Sequence, residues 1–178
     1  MTESKLSSSH TKVALVIMGV SGCGKSSAGE AIAKLLGWEL VEGDSYHSVE
    51  SVAKMQTGTP LTDADREGWL ARLALRLAQA DASHGLVLTC SALKRKYRDQ
   101  LRSAQQLGFV FLELDYATAL ERVQTRAGHF FSPDLVANQF ATLEDPRTEP
   151  DVLTVSASMP LSEIAHQVQQ WMSRQSTT

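Results

Sequence analysis

An apolar run, VALVIM at residues 13–18, passes without a break into GVSGCGKSS at 19–27. No other feature constrains the fold of this chain so strongly. An apolar run without polar alternation reads as a strand buried on both faces, as in a parallel sheet covered by helices. The next residues match G-x-x-x-x-G-K-[ST] at Gly19, Gly24, Lys25 and Ser26. Glycines let the backbone curl so that its N–H groups point inward at phosphate oxygens. A helix starting directly after the curl turns its positive end to the same anion. The pattern predicts a site for a nucleoside triphosphate, ATP, built by Gly19, Val20, Ser21, Gly22, Cys23, Gly24, Lys25, Ser26 and Ser27. Lys25 supplies charge to the β- and γ-phosphates, and the Ser26 hydroxyl ligates Mg²⁺. The bland alternative is a plain glycine-rich turn between a strand and a helix.

Three more runs, LVLTC (86–90), FVFLEL (109–114) and VLTV (152–155), and a weaker one, WELVE (38–42), predict further strands. Helical spacing fills the intervals. SSAGEAIAKLLG carries Ala28, Ala31, Ile32, Leu35 and Leu36 on one stripe and stops at Gly37. TDADREGWLARLALRLAQADAS opens with Thr62 and Asp65, a variant of the capping box, and Trp69, Leu70, Leu73 and Leu77 form its apolar face. SPDLVANQFATL reads as a helix with Ser132 as N-cap and Pro133 at its first position. A last helix over 160–173 turns Leu161, Ile164, Val168, Trp171 and Met172 inward. Strands alternating with helices imply an α/β fold with right-handed crossovers.

The length of 178 residues suits one domain, with flexible ends at 1–11 and 174–178. Hydrophobic residues make up 43%, enough for an ordinary core. The net charge of −3 argues against a nucleic-acid partner, which favours a strongly basic domain. No apolar stretch approaches the roughly 18 residues of a membrane span, and the N-terminus lacks a signal-peptide core. Cys23 and Cys90 form no CxxC pair, so two reduced thiols in a cytoplasmic protein are expected.

Transfer of a phosphoryl group needs a residue near the acceptor hydroxyl, a metal and cations over the γ-phosphate. Asp44, in VEGDSYH, follows the second strand and therefore lies on the same carboxyl edge as the phosphate loop. It is a candidate to accept the hydroxyl proton or orient the hydroxyl. Glu42 is a candidate for the magnesium hydration shell; the alternative is that both acids are solvated turn residues. SALKRKYRDQLR (91–102) is locally basic, with Lys94, Arg98 and Arg102 on one helical face. Lys94 and Arg98 are candidates to grip an anionic acceptor, and Lys96 reads as a solvated charge. Arg122 and Arg126 precede Gly128, which suits a lid closing over phosphates, with Arg126 neutralising charge on the transferring group. His129 is either a base or a packing residue. Segments 43–61 and 127–134 are the expected substrate-facing parts. An aspartate ending a strand beside the phosphate loop is missing: LVLTCS has no acid, and Asp115, after FLEL, reads as a helix cap on the far side.

Together these residues resemble the bacterial gluconokinases among the P-loop small-molecule kinases, relatives of shikimate kinase, over about residues 12–173. The combination of EGDSYH, KMQTGTPLTDADREGWL, CSALKRKYRD and GHFF carries the resemblance. It implies a three-layer fold, a five-stranded parallel sheet with helices on both faces and a lid near 123–134. It implies ATP-dependent conversion of D-gluconate to 6-phosphogluconate, in a homodimer, with Asp44 near the sugar-acid hydroxyl and Arg126 over the phosphates. It makes Lys94 and Arg98 candidates for the gluconate carboxylate, a guanidinium fork being well suited to it, and His129 is a further candidate substrate contact. The family more often has DGD where this chain has EGD, so Glu42 keeps the charge and adds a methylene. Two other readings compete: a shikimate- or nucleotide-type kinase on the same scaffold, and a nucleotide-binding switch that phosphorylates no metabolite.

Overall fold

The computed structural model describes residues 11–126 and 134–176. In chain order the elements are β1 (Ala14–Met18), α1 (Lys25–Leu36), β2 (Glu39–Glu42), a 3-10 turn (Gly43–Tyr46), α2 (Val49–Gln56), α3 (Asp63–Leu77) and β3 (Leu86–Thr89). They continue with α4 (Arg95–Arg102), β4 (Gly108–Glu113), α5 (Tyr116–Thr125), α6 (Asp134–Thr142), β5 (Val152–Ser156) and α7 (Leu161–Gln175). The five strands form one parallel sheet in the order β2-β3-β1-β4-β5. All five apolar runs are therefore strands, and their carboxyl ends share one edge.

The continuous hydrophobicity of β1 has a direct structural cause. Leu15 and Ile17 enter a core with Ile32 of α1 and Ile164 and Val168 of α7. Ala14, Val16 and Met18 enter the opposite core with Trp69, Leu73 and Leu77 of α3 and Leu101 of α4. Both faces of the strand are dry, so neither tolerates a polar side chain. This is the expected three-layer arrangement. Gly37 ends α1 in the left-handed conformation (φ 68°), donating its N–H to Lys34 O. The expected capping box on α3 is complete: Thr62 Oγ1 accepts from Asp65 N (3.1 Å), and Asp65 Oδ2 accepts from Thr62 N (2.9 Å).

The structure departs from the sequence expectations at several points. Leu161 is 44% exposed rather than inward, because it occupies the first position of α7, before the helix reaches the core. The C-terminal tail is more ordered than expected, since α7 continues to Gln175. Lys12, one residue beyond the expected flexible lead-in, is buried: its ammonium donates to Gln175 Oε1 and pairs with Asp151 Oδ1 at 3.0 Å. Segment 43–61 also contains a helix, α2, capped by Ser48, whose hydroxyl accepts from Ser51 N. Its eight residues bury just one large apolar side chain, Met55, too little to give a periodic signal. No helix among the described residues is long and apolar enough to cross a membrane.

The capping box makes a measurable contribution. Thr62→Ala should lower the unfolding free energy by about 1 kcal/mol in urea denaturation, with the slope of the transition unchanged.

Candidate active site

The turn after β1 is shaped by residues that a side chain would disturb. Gly22 has φ 84°, and a Cβ there would stand 2.8 Å from the Ala119 carbonyl of α5. Gly24 (φ 88°) starts α1, whose first turn contains no acidic residue. The positive helix end therefore stays available to an anion. The Lys25 ammonium lies over the curl, donating to Gly19 O and Val20 O at 3.1 Å each. The Cys23 thiol is buried, and burial raises its pKa, so it is held as an unreactive thiol.

The end of β2 meets this loop. Ser26 Oγ donates to Glu42 Oε2 at 3.1 Å, and Thr89 Oγ1 donates to the same oxygen at 2.6 Å. Two residues on, Asp44 lies in the 3-10 turn with its side chain half-exposed. Lys25, Asp44, His47, Arg66, Arg126 and Gln139 line one pocket with the phosphate loop. A neighbouring groove is bordered by Gly22, Gly24, Ser27, Arg122 and Arg126. Arg122 Nη1 donates to Gly22 O at 3.3 Å, and Arg126, at the C-cap of α5, is exposed and borders both depressions. Asp44, expected beside the acceptor hydroxyl, thus shares a pocket with the phosphate loop. His129 and the rest of 127–133 lie outside the described residues.

The magnesium expectation is tested by the donor chemistry. A serine that gives a lone pair to a cation needs an acceptor for its proton, and Glu42 Oε2 is that acceptor. Among the described residues, no group of three or more His, Cys, Asp or Glu forms a metal cage. One hydroxyl and one carboxylate beside a polyphosphate loop fit Mg²⁺, which keeps several waters and binds through few protein oxygens plus phosphates.

Two basic residues are placed differently from the sequence expectation. Arg98 is fully buried. Its Nε donates to Glu149, its Nη1 to Ala92 O (2.7 Å) and Leu93 O (3.0 Å), and its Nη2 to Glu144 O (3.0 Å) and Glu149. No donor edge remains for an acceptor, so Arg98 is a structural strut and not a substrate contact. Lys94 stands at the N-cap of α4 and pairs with Asp63 Oδ1 at 3.2 Å. The hydroxyl of Tyr97 and the ammonium of Lys96 converge on the same carboxylate, and Lys94 is not among the residues lining the pocket. Arg102 also binds Glu149, at 2.7 Å.

The pocket contains side chains that the sequence reading passed over, among them Arg66, His47 and Gln139. Arg66 is 7% exposed, with its guanidinium 6.0 Å from the Trp69 ring centroid and 5.5 Å from that of Tyr97. No carboxylate pairs with it among the described residues. A signal existed: Arg66 precedes Trp69, Leu70 and Leu73 by three, four and seven residues, which puts a cation on the apolar stripe of α3. His47 stacks on Trp69 (centroids 4.1 Å apart, planes at 18°), with Nε2 3.6 Å from Asp44 Oδ1. Gln139 of α6 accepts from Ser21 N at 2.6 Å, joining the phosphate loop to the chain after 127–133.

Known proteins similar to this chain include kinases of the same family. Residues 21–171 match the family model described as shikimate kinase. A gluconokinase of Gluconobacter oxydans is 49% identical over 145 residues, covering 80% of this chain and 81% of that protein. The crystal structure of a gluconokinase from Sinorhizobium meliloti superposes with a TM-score of 0.83 at 44% identity, over 94% of this chain and 95% of that one. A shikimate kinase from Aquifex aeolicus, 15% identical, shares the fold with a TM-score of 0.60 over 90% of this chain and 96% of its own.

The Arg98 strut has its own test. Burial raises the Glu149 pKa, but the hydrogen bonds from Arg98 and Arg102 outweigh it and hold the group below its ordinary 4.5. Its stabilising contribution is therefore complete above that value and is lost as the pH falls through the folded-state pKa. Arg98→Ala leaves the carboxylate buried without its main partner and should cost about 3–5 kcal/mol in denaturant unfolding at neutral pH. The Michaelis constant for the acceptor should be unchanged in the folded fraction.

Proposed function

This chain belongs to the shikimate kinase family and, within it, to the gluconokinases, and on that premise we propose how it carries out the ATP-dependent phosphorylation of gluconate. The acceptor is the 6-hydroxyl of D-gluconate, and the donor is ATP with magnesium. One observation carries the reading: Asp44 and the buried Arg66, which pairs with no carboxylate among the described residues, line the same pocket as Lys25. A sugar acid has a hydroxyl at one end and a carboxylate at the other, and this pocket offers a partner for each.

The phosphate loop binds the β- and γ-phosphates through its amides, and Lys25 moves from the Gly19 and Val20 carbonyls onto them. Ser26 and Glu42 would hold a magnesium ion, which when bound would neutralise charge on the phosphate oxygens. Asp44 takes the proton of the acceptor hydroxyl as its oxygen attacks the γ-phosphorus. The bond from that phosphorus to the β–γ bridging oxygen breaks, and ADP carries the electron pair away. Arg126, shared by the two depressions, bears on the charge of the group in transit. Arg122 steadies the loop from α5 through Gly22 O. The carboxylate of gluconate is held by Arg66, whose burial excludes competing water and strengthens the ion pair. Arg66 takes over the role that the sequence suggested for Arg98 and Lys94.

Kinetics with gluconate and ATP varied independently test these assignments. Asp44→Asn should cut kcat by roughly 10²–10⁴-fold with little change in the ATP Michaelis constant, the range for loss of a general base. Arg66→Ala should raise the gluconate Michaelis constant by about tenfold to a hundredfold, the cost of a lost charged hydrogen bond. A rise in the ATP constant alone would move the carboxylate contact elsewhere.

A further inference from the structure

Strand β3, paired with β1, ends without an acid, yet the Ser26 hydroxyl has a carboxylate partner. That carboxylate comes from one strand further out. In the register of the sheet, Thr89 of β3 stands level with Ile17 of β1 on one side and Glu42 of β2 on the other. Glu42 must therefore reach past Thr89 to meet Ser26, and its extra methylene relative to aspartate extends that reach. A glutamate has three side-chain torsions, and holding it in one rotamer costs conformational entropy. Something must hold it.

Thr89 is built for that task. Its hydroxyl has one proton and two lone pairs. Gly43 N donates to Thr89 Oγ1 at 3.2 Å, so the hydroxyl proton is directed to Glu42 Oε2 at 2.6 Å. That length is typical of a hydroxyl bonded to an ionised carboxylate. The Thr89 methyl packs against α1 at Gly29, where an added Cβ would come within 3.0 Å of it. A β-branched residue so packed has little χ1 freedom. Gly43 is equally constrained, since a Cβ there would fall 2.0 Å from Thr89 O. The threonine is thus fixed by helix, strand and neighbouring amide. With Ser26 on the same Oε2, the other carboxylate oxygen has no protein partner among the described residues.

We propose that Thr89 is the positioning residue of the magnesium site: it fixes the Glu42 carboxylate against Ser26, so that the acid missing from β3 is supplied across it from β2. The inference rests on Ser26 and Glu42 being the magnesium-holding pair. Thr89 itself binds neither metal nor nucleotide.

Calorimetric titration with the non-hydrolysable analogue AMPPNP, in Mg²⁺ and in EDTA, separates metal-linked from metal-free affinity without turnover. In the wild type, Mg²⁺ should tighten binding. Thr89→Val, which keeps the shape and loses the hydroxyl, should reduce that tightening by about tenfold or more, the usual scale for a residue that orients a ligand. Its EDTA affinity should match the wild type, and Thr89→Ser should restore the metal effect. Thr89→Ala gives the same test if the valine variant does not fold. A full metal effect in Thr89→Val overturns the proposal, as does equal loss in Mg²⁺ and EDTA, or a serine variant that behaves like valine. Glu42→Gln separates the two levels. If it keeps the wild-type metal effect, the magnesium assignment of Glu42 falls and the Thr89 proposal falls with it. If it loses the effect while Thr89→Val keeps it, only the Thr89 proposal is overturned.

Discussion

Strand β1 is hydrogen-bonded on both sides, to β3 and to β4, and both its faces are buried in separate cores. Its carboxyl end is therefore held firmly in place. The chain leaves it through glycines in backbone conformations that other residues rarely adopt, pinned from outside by α5 at Gly22 and continued into α1 at Gly24. The amides of this curl and the uncompensated helix end are dipoles fixed before any ligand arrives. Preorganisation of that kind needs no reorientation at the moment of reaction, which makes it effective for phosphoryl transfer. The acids, the arginines and the pocket beside the loop are all placed relative to this one rigid turn.

The distribution of cations follows from the cost of burying charge. An ionised side chain taken out of water must be paired, or its burial is prohibitive. Arg98 meets the requirement inside the protein, with Glu149 and three carbonyls as partners, and is thereby spent on joining α4 to the segment around Glu149. Arg66 meets it only in part, through the rings of Trp69 and Tyr97. Among the described residues no carboxylate answers this guanidinium, which is what the proposed gluconate contact requires. The two residues differ in burial far less than in whether their charge has already been answered.

The loop also joins parts of the chain that are far apart in sequence. Gln139 binds Ser21 from one side and Arg122 binds Gly22 from the other. The helices that flank residues 127–133 therefore each bond to the phosphate loop through a side chain. On the outer side, Glu42 and Thr89 connect the loop serine to the second and third strands. Groups separated by more than a hundred residues share one hydrogen-bonded frame, which is how a small α/β protein holds a reacting geometry to the tolerance catalysis needs.

The strands, the phosphate loop, the Gly37 stop, the Thr62 capping box and the Asp115 cap could all be read from local order, because each depends on neighbours within a few residues. The basic segment could not. Lys94, Arg98 and Arg102 look alike along the chain, and their roles are set by Asp63 and Glu149, which local pattern does not connect to them. Arg66 was hidden for the opposite reason: a single charge on an apolar stripe gains meaning only when the stripe is seen to border a pocket. By itself, then, the order of residues determined the layered sheet and the polyphosphate curl, since alternation of apolar runs and a glycine spacing act through short-range backbone physics. Only the tertiary structure decided which arginine is spent and which is available, and how an acid two strands away reaches the loop serine. Those outcomes depend on desolvation and on partners that meet only when the sheet has formed.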